Sequence, residues 1–425
     1  MRIILLILVL FVCFKAQAQD SEDFEALQEQ GKYEEALSIL NKKIDAFYAS
    51  RLEDKQIPSS FFISMKSDKE DTDINQLFRN RKANGFFIED NPELVKLHVN
   101  AAGCYAALGN SREAISNYTQ ALRFKNIEPG EDDAIYYAIS QVHKKDKQFE
   151  GYVIALESAF TLNPEHYDYS LELGKALAPT VKKAKALYHI ERYINNKEND
   201  IDPDLYLLAG NLSEDTGYYL KTQDYYQKYL SEKKDDGAIH FALGYIAYAK
   251  TGNHNLALSS FTKTLELLPE TDIYRRSKAH EYTADIALSD LQFKKAIEHY
   301  SETIRYQKQV LEQIESSKDK IREISQRINA LKIKIISEQN YDSFREYESL
   351  EEEKGKLALA LNKERRQYEL LNCGTVRWNT ASAYERIGEY ENAIEFYRQA
   401  ISFDYRSNDS REKIIKLQLK IKRGY

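Results

Sequence analysis

Proline and glycine are scarce in this chain, at 7 and 16 of 425 residues, against the roughly 5% and 7% of ordinary proteins. Folds built from many strands need more turn punctuation than this, so a sheet-rich architecture is excluded. Cysteine is scarcer still, at 3 residues, which excludes a disulfide framework. Cys104 and Cys373 each fall inside a helical pattern and read as buried thiols. No H-E-x-x-H, G-x-S-x-G or Walker-type glycine loop occurs, so the sequence offers no common catalytic signature. Lysine and arginine (60) do not outnumber aspartate and glutamate (67), and a net charge of -7 argues against nucleic acid as the principal partner. Beyond the N-terminus no apolar run approaches the roughly 20 residues that span a bilayer. What remains is 43% hydrophobic and 30% charged, the balance of a folded, nearly all-helical chain.

The first 18 residues stand apart from that balance. Arg2 precedes an apolar run from Ile3 to Phe14, and Ala16-Gln17-Ala18 supplies a small-residue cleavage pattern. The run is too short for a membrane anchor, so it is read as a signal peptide, with the mature chain starting at Gln19 in the periplasm or outside the cell. Cys13 does not fit a lipidation site, because bulky Phe11 and Val12 precede it.

One unit recurs along the rest of the chain: an alanine followed four residues later by an aromatic or leucine. It occurs as Ala36/Leu40, Ala114/Tyr118, Ala257/Phe261, Ala296/Tyr300 and Ala393/Tyr397. Upstream of these lies a second helical stretch with small residues, such as Ala101-Ala102 before Gly109 and Ala381 before Gly388. Small side chains let two antiparallel helices approach, and an aromatic from each fills the space beside them. These residues resemble the tetratricopeptide repeat, a helix-turn-helix unit of about 34 residues. The resemblance implies an all-α, right-handed alpha-solenoid of about eight repeats, with first helices that line a concave groove for a peptide or partner helix. Phased on these marks, repeats start near residues 95, 133, 167, 203, 238, 277 and 374, with a first one over 19–50. TPR-like repeats are thus expected over 95–305, a last one over 373–407, and a capping helix over 408–425. That tail is basic, with Ile414, Leu417 and Ile421 along one face.

Two segments break the period. From 306 to 372 apolar residues continue at alternating spacings of three and four, from Leu311 to Ile335 and again from Tyr347 to Leu371. Two such strips predict a projecting antiparallel coiled-coil hairpin about 40 Å long, at about 1.5 Å per residue. Ser317, Lys354 and Glu364 interrupt its seam, and self-association through it stays open. The irregular insertion 51–94 carries Phe61-Phe62-Ile63 and Phe86-Phe87-Ile88 around an acidic run, and reads as a lid, a cap or a loop.

No metal or cofactor site emerges. Asp71, Asp73 and Asn75 imitate the opening of a calcium loop, but Gln76 replaces the required glycine and Lys82 the closing acid. Tyrosine is abundant, at 31 residues, and most of it fills packing slots. By the register of the resemblance, the groove candidates are Tyr137, Gln141, Lys144, Lys175, Asn211, Tyr245, Tyr248 and Trp378. Tyrosine and tryptophan give rigid contact surfaces with a polar tip. The expected function is an exported, non-catalytic scaffold that binds protein or peptide partners in the cell envelope through the groove, with the hairpin as a second surface. The alternative is a glycan- or nutrient-binding subunit beside an outer-membrane transporter, since aromatic clefts also suit sugar rings.

Overall fold

The computed structural model describes residues 23–53, 91–123, 132–197, 201–338 and 341–424. The expected signal peptide, both FFI triplets and the calcium-like run lie outside these residues. The described chain contains helices and no strand, in two compact units, Met1–Asp200 and Ile201–Tyr425.

In the first unit, α1 (Asp23–Glu29) pairs with α2 (Tyr33–Glu53), α3 (Pro92–Leu108) with α4 (Ser111–Arg123), α5 (Asp132–Lys145) with α6 (Phe149–Leu162), and α7 (Tyr167–Leu177) with α8 (Lys183–Asn196). In the second, α9 (Pro203–Asp215) pairs with α10 (Tyr219–Glu232) and α11 (Gly237–Ile246) with α12 (His254–Leu267). Then come α13 (Ile273–Ser289), α14 (Phe293–Glu338), α15 (Tyr341–Glu369), α16 (Cys373–Arg386), α17 (Tyr390–Ser402) and α18 (Ser407–Lys422). Within each unit, elements pack mainly on their sequence neighbours, the contact pattern of a solenoid.

Local chemistry sets the boundaries. Asn91 caps α3 by accepting from Leu94 N at 3.0 Å, with Pro92 in the first turn, where its missing N–H costs nothing. Gly109 ends that helix at φ +82°, a left-handed conformation that costs glycine nothing. Asp272 caps α13, which therefore begins at Ile273 rather than near 277. Helix α2 runs to Glu53, so helix continues past residue 50, where the irregular segment was expected to begin.

The paired helices meet over small residues. Ala257 is buried beside Phe261, and a Cβ on Gly244 would lie 2.7 Å from the Phe261 ring, so the first helix approaches closely only without a side chain there. Ala284, Ala287 and Ala296 pack around Tyr300 in the same way, and Ala381 and Ala393 around Tyr397. Burying each of these rings contributes roughly 2–3 kcal/mol.

Helix α14 does not stop where other second helices do; it runs for 46 residues and pairs with the 29-residue α15. Their seam buries Ile324, Ile328 and Leu350 at one level and Val310, Ile314, Leu361 and Leu371 at another. Between these levels the Ser317 hydroxyl donates to Glu364 at 3.1 Å, so two residues that interrupt the apolar pattern satisfy each other. The terminal helix α18 buries Leu417 and packs Ile414 on the last repeat, with Lys413 3.0 Å from Glu385. Ile421 is exposed, contrary to its expected place on the packed face, because α18 meets α17 along a narrow stripe only.

Candidate partner-binding surface

The first helices of successive repeats carry the sequence candidates, and the structure places them in separate groups. On α5, Tyr137, Gln141 and Lys144 are spaced by four and three residues, which puts them on one helix face. All three reach Glu172 on α7, at 3.0, 3.0 and 3.4 Å, and the Tyr152 hydroxyl donates to the same carboxylate at 2.9 Å. Desolvation works to raise the Glu172 pKa, but hydrogen bonds from Gln141, Tyr152 and Tyr137 and the Lys144 charge outweigh it and hold the carboxyl below its usual range. The same contacts push Tyr137 up to about 12, with burial the largest cause. These three candidates therefore tie α5 to α7. Lys175, one turn beyond Glu172, is exposed. Exposed Asn211 on α9 accepts from the Tyr226 hydroxyl at 2.9 Å.

The second group surrounds α13. Its residues Lys278, Glu281, Tyr282 and Asp285 lie on one face, at spacings that none of the apolar motifs highlights. Tyr248 sits in a π-helical turn (Ala247–Thr251) that extends α11, a local widening frequent at functional sites. That turn brings the Tyr248 ring over Tyr282, 5.0 Å between centroids, and its hydroxyl to Asp285 at 3.1 Å. Tyr245 lies beside the same Tyr282 ring at 5.7 Å. All three side chains are half-buried, and the Tyr282 ring is also met by Phe261 and by the Lys278 ammonium.

Asp285 also accepts from Tyr300 at 2.5 Å and from Asn379 on α16 at 3.4 Å. Burial still pushes its carboxyl above the usual range, against the hydrogen bonds and the Lys278 charge. One turn away, Lys278 and Glu281 form an ion pair at 2.9 Å with side chains only 4% and 5% exposed. Glu281 also accepts from Asn372 at 2.9 Å. Asn372 stands in the left-handed region (φ +46°), which asparagine tolerates better than most residues, at the point where α15 hands over to α16.

Gln307 and Arg377 complete this junction. Gln307 donates to the Leu371 carbonyl at 2.7 Å, and Arg377 donates to Gln307 Oε1 at 2.6 Å and to the Cys373 carbonyl at 3.0 Å. The polar groups thus lock the base of the hairpin where it leaves and re-enters the stack. Trp378, the remaining candidate, packs within its own repeat, edge-on to Tyr397 at 4.9 Å with Arg406 over its ring.

Glu172, Tyr282, Asp285 and Asn379 were not among the sequence candidates. The signal for Asp285 was present in outline, since ionisable residues at 278, 281 and 285 interrupt an otherwise packable helix face. Among the described residues, Cys104 and Cys373 are buried and form no disulfide. Among the described residues no cluster of three or more metal-ligating side chains exists, and no helix is long and apolar enough to cross a membrane.

The tetratricopeptide repeat family model matches residues 95–127 and 375–406. No curated protein matches the chain. Among solved structures, the chain is similar to the C-terminal part of a TPR repeat-containing protein from Cytophaga hutchinsonii, at 14% identity and a TM-score of 0.35, covering 67% of this chain and 93% of that one. It is also similar to MamA, residue 41 to the end, from Desulfovibrio magneticus RS-1, at 21% identity and a TM-score of 0.31, covering 41% and 95%. Both family matches fall on hairpins whose alanines close around a buried tyrosine, Tyr118 in one and Tyr397 in the other, so the chain carries tetratricopeptide-repeat units at these two places.

Proposed function

We propose that the chain is an exported, non-catalytic scaffold whose partners dock on the first-helix face of its second unit. Its tetratricopeptide repeats support a protein-interaction scaffold. The observation that carries the choice of face is the group of half-buried rings Tyr245, Tyr248 and Tyr282 set around Asp285. Lys278 balances Glu281, so ionised Asp285 leaves this face one negative charge. Half-buried tyrosines beside a carboxylate suit the arginine or lysine of an extended partner segment, through cation–π contact and charge attraction. The Glu172 group is the weaker candidate, because Lys144 already neutralises its carboxylate.

Export rests on the Arg2, Ile3–Phe14 and Ala16-Gln17-Ala18 pattern. The mass of the protein recovered from its native cells tests it. A chain starting at Gln19 supports export, whereas one that retains Met1 and stays with cytosolic proteins removes it.

For the docking face, a photoreactive phenylalanine analogue at position 245 is compared in cells with one at position 220, where Leu220 is 74% exposed. The proposal expects a discrete protein adduct from position 245, absent from position 220 and lost when Tyr248→Ala is added. Equal adducts from both positions would remove the assignment of the face. Recovery of glycans in place of any protein would favour the nutrient-binding alternative.

A further inference from the structure

The outer face of the hairpin helix α15, opposite its seam, has no occupant among the described residues. Leu359 stands open on it at 73% exposed, with Phe344 toward the tip at 46%. In the middle of this face sits Gly355, with nothing within 4 Å of where a Cβ would be. A glycine in a helix interior costs roughly 1 kcal/mol relative to alanine, and here no intramolecular contact repays it.

Charge on the same face is antisymmetric about its centre. Toward the hairpin tip lie Glu348 and Glu352; toward the base lie Lys363 and Arg366, all exposed. Read from the two ends inward, the signs are opposite at every step. A two-fold axis between Gly355 and Leu359 lays a second α15 antiparallel on the first, with position i opposite position 714 minus i. Glu348 then meets Arg366, a pair that occurs twice. Glu352 falls beside Lys363; its existing partner is Lys356 on its own helix, at 2.7 Å with both side chains largely exposed, a contact readily exchanged. In the same register Leu359 lies over Gly355 of the other copy. One alignment thus covers the most exposed leucine of the face, gives the glycine a packing role and pairs the charges.

We propose that α15 is a homodimerisation surface, and that a second copy of this chain docks on it antiparallel, centred between Gly355 and Leu359. An unrelated partner could cover the leucine, but the antisymmetric charge order is complementary to itself. The proposal stands apart from the tyrosine face of the second unit and survives if that assignment fails.

The test is sedimentation of the mature full-length chain over roughly 1–100 µM, with circular dichroism to confirm that each variant is folded. A dimer is expected, and Leu359→Glu should weaken it on the order of a hundredfold, the scale of losing a central packed contact. Glu348→Arg and Arg366→Glu should each weaken it on the order of tenfold, and the double swap should restore it, because the same pairs re-form with reversed sign. An equimolar mixture of Glu348→Cys and Arg366→Cys chains should form an intermolecular disulfide under mild oxidation, which neither forms efficiently alone. A monomer throughout the range overturns the proposal. So does a dimer indifferent to Leu359→Glu and to the charge swap, or preferential cross-linking of Glu348→Cys to itself.

Discussion

Glu172 in the first unit and Asp285 in the second are both carboxylates on a first helix that collect two tyrosine hydroxyls and an amide, yet their environments push them in opposite directions. Glu172 has Lys144 within 3.4 Å on the solvent side and is held below its usual range. Asp285 receives comparable hydrogen bonds, but its nearest cation, Lys278, is buried and committed to Glu281, and burial prevails. Hydrogen-bond number does not decide the outcome here. Depth of burial does: around the more deeply buried Asp285 desolvation exceeds what the hydrogen bonds and the Lys278 charge offset, whereas at Glu172 the hydrogen bonds outweigh it and the Lys144 charge adds least. The compensated site is therefore a structural tie between repeats, and the under-compensated one is where an outside cation gains most.

The largest contrast between the two lies in their ion pairs. Glu281→Gln leaves the Lys278 ammonium buried without a counter-charge and should cost about 3 kcal/mol or more, with Lys278→Met in the same chain recovering most of it. Thermal melts of the single and double variants check this; an unchanged single variant would mean that water reaches the pair. Next is Tyr300→Phe, which removes the short hydrogen bond to Asp285 and should cost about 1–3 kcal/mol. Tyr137→Phe, whose partner Glu172 keeps three other donors, should cost under about 1 kcal/mol in the same assay.

A third contrast comes from pH. On α13 and α14, His280 and His299 share a hydrogen bond between their Nδ1 atoms at 2.9 Å, facing Arg276, Arg305, Lys295, Glu298 and Glu302. Burial first, then the neighbouring imidazole, lowers His280 to about 4, and burial lowers His299. Unfolded histidine titrates near 6.5. As pH falls from about 6.5 toward 4, the unfolded chain therefore binds protons that the folded chain refuses, and stability falls. The slope should approach about 1 kcal/mol per pH unit for His280, and His280→Asn should flatten it in melts at pH 7.5, 6.0 and 5.0. The two carboxylates act with opposite signs. Glu172, lowered in the fold, stabilises above its unfolded pKa, and that contribution is lost as pH falls through its folded value. Asp285, raised in the fold, penalises the folded state at neutral pH, and protonation relieves it. The smallest expected effect is Lys144→Ala, under about 0.5 kcal/mol, because its side chain is half exposed. A larger loss there would make the first-unit network more than a surface tie.

Much of the helical framework was legible in the sequence because it is written at short range. Ala114/Tyr118 and Ala393/Tyr397 lie on one face of their own helix, and each packs on the helix just before it, so period and residue size locate the hairpins. Apolar spacings of three and four between 311 and 335 coincide with the uninterrupted α14. Trp378, expected in the groove by register, is half-buried with Tyr397 edge-on to it and Arg406 over its ring, contacts that no local period announces.

By itself, then, the sequence determined the all-helical class and the small-residue contacts that close each repeat, since both rest on residues within about 30 positions of one another. Only the tertiary structure decided which polar groups of different repeats meet. Asn372 reaches Glu281 across 91 positions and Asn379 reaches Asp285 across 94, because the long hairpin returns the chain to the place it left. No local period encodes such an encounter. It depends on how one repeat stacks on the next, and so does the burial that separates Glu172 from Asp285.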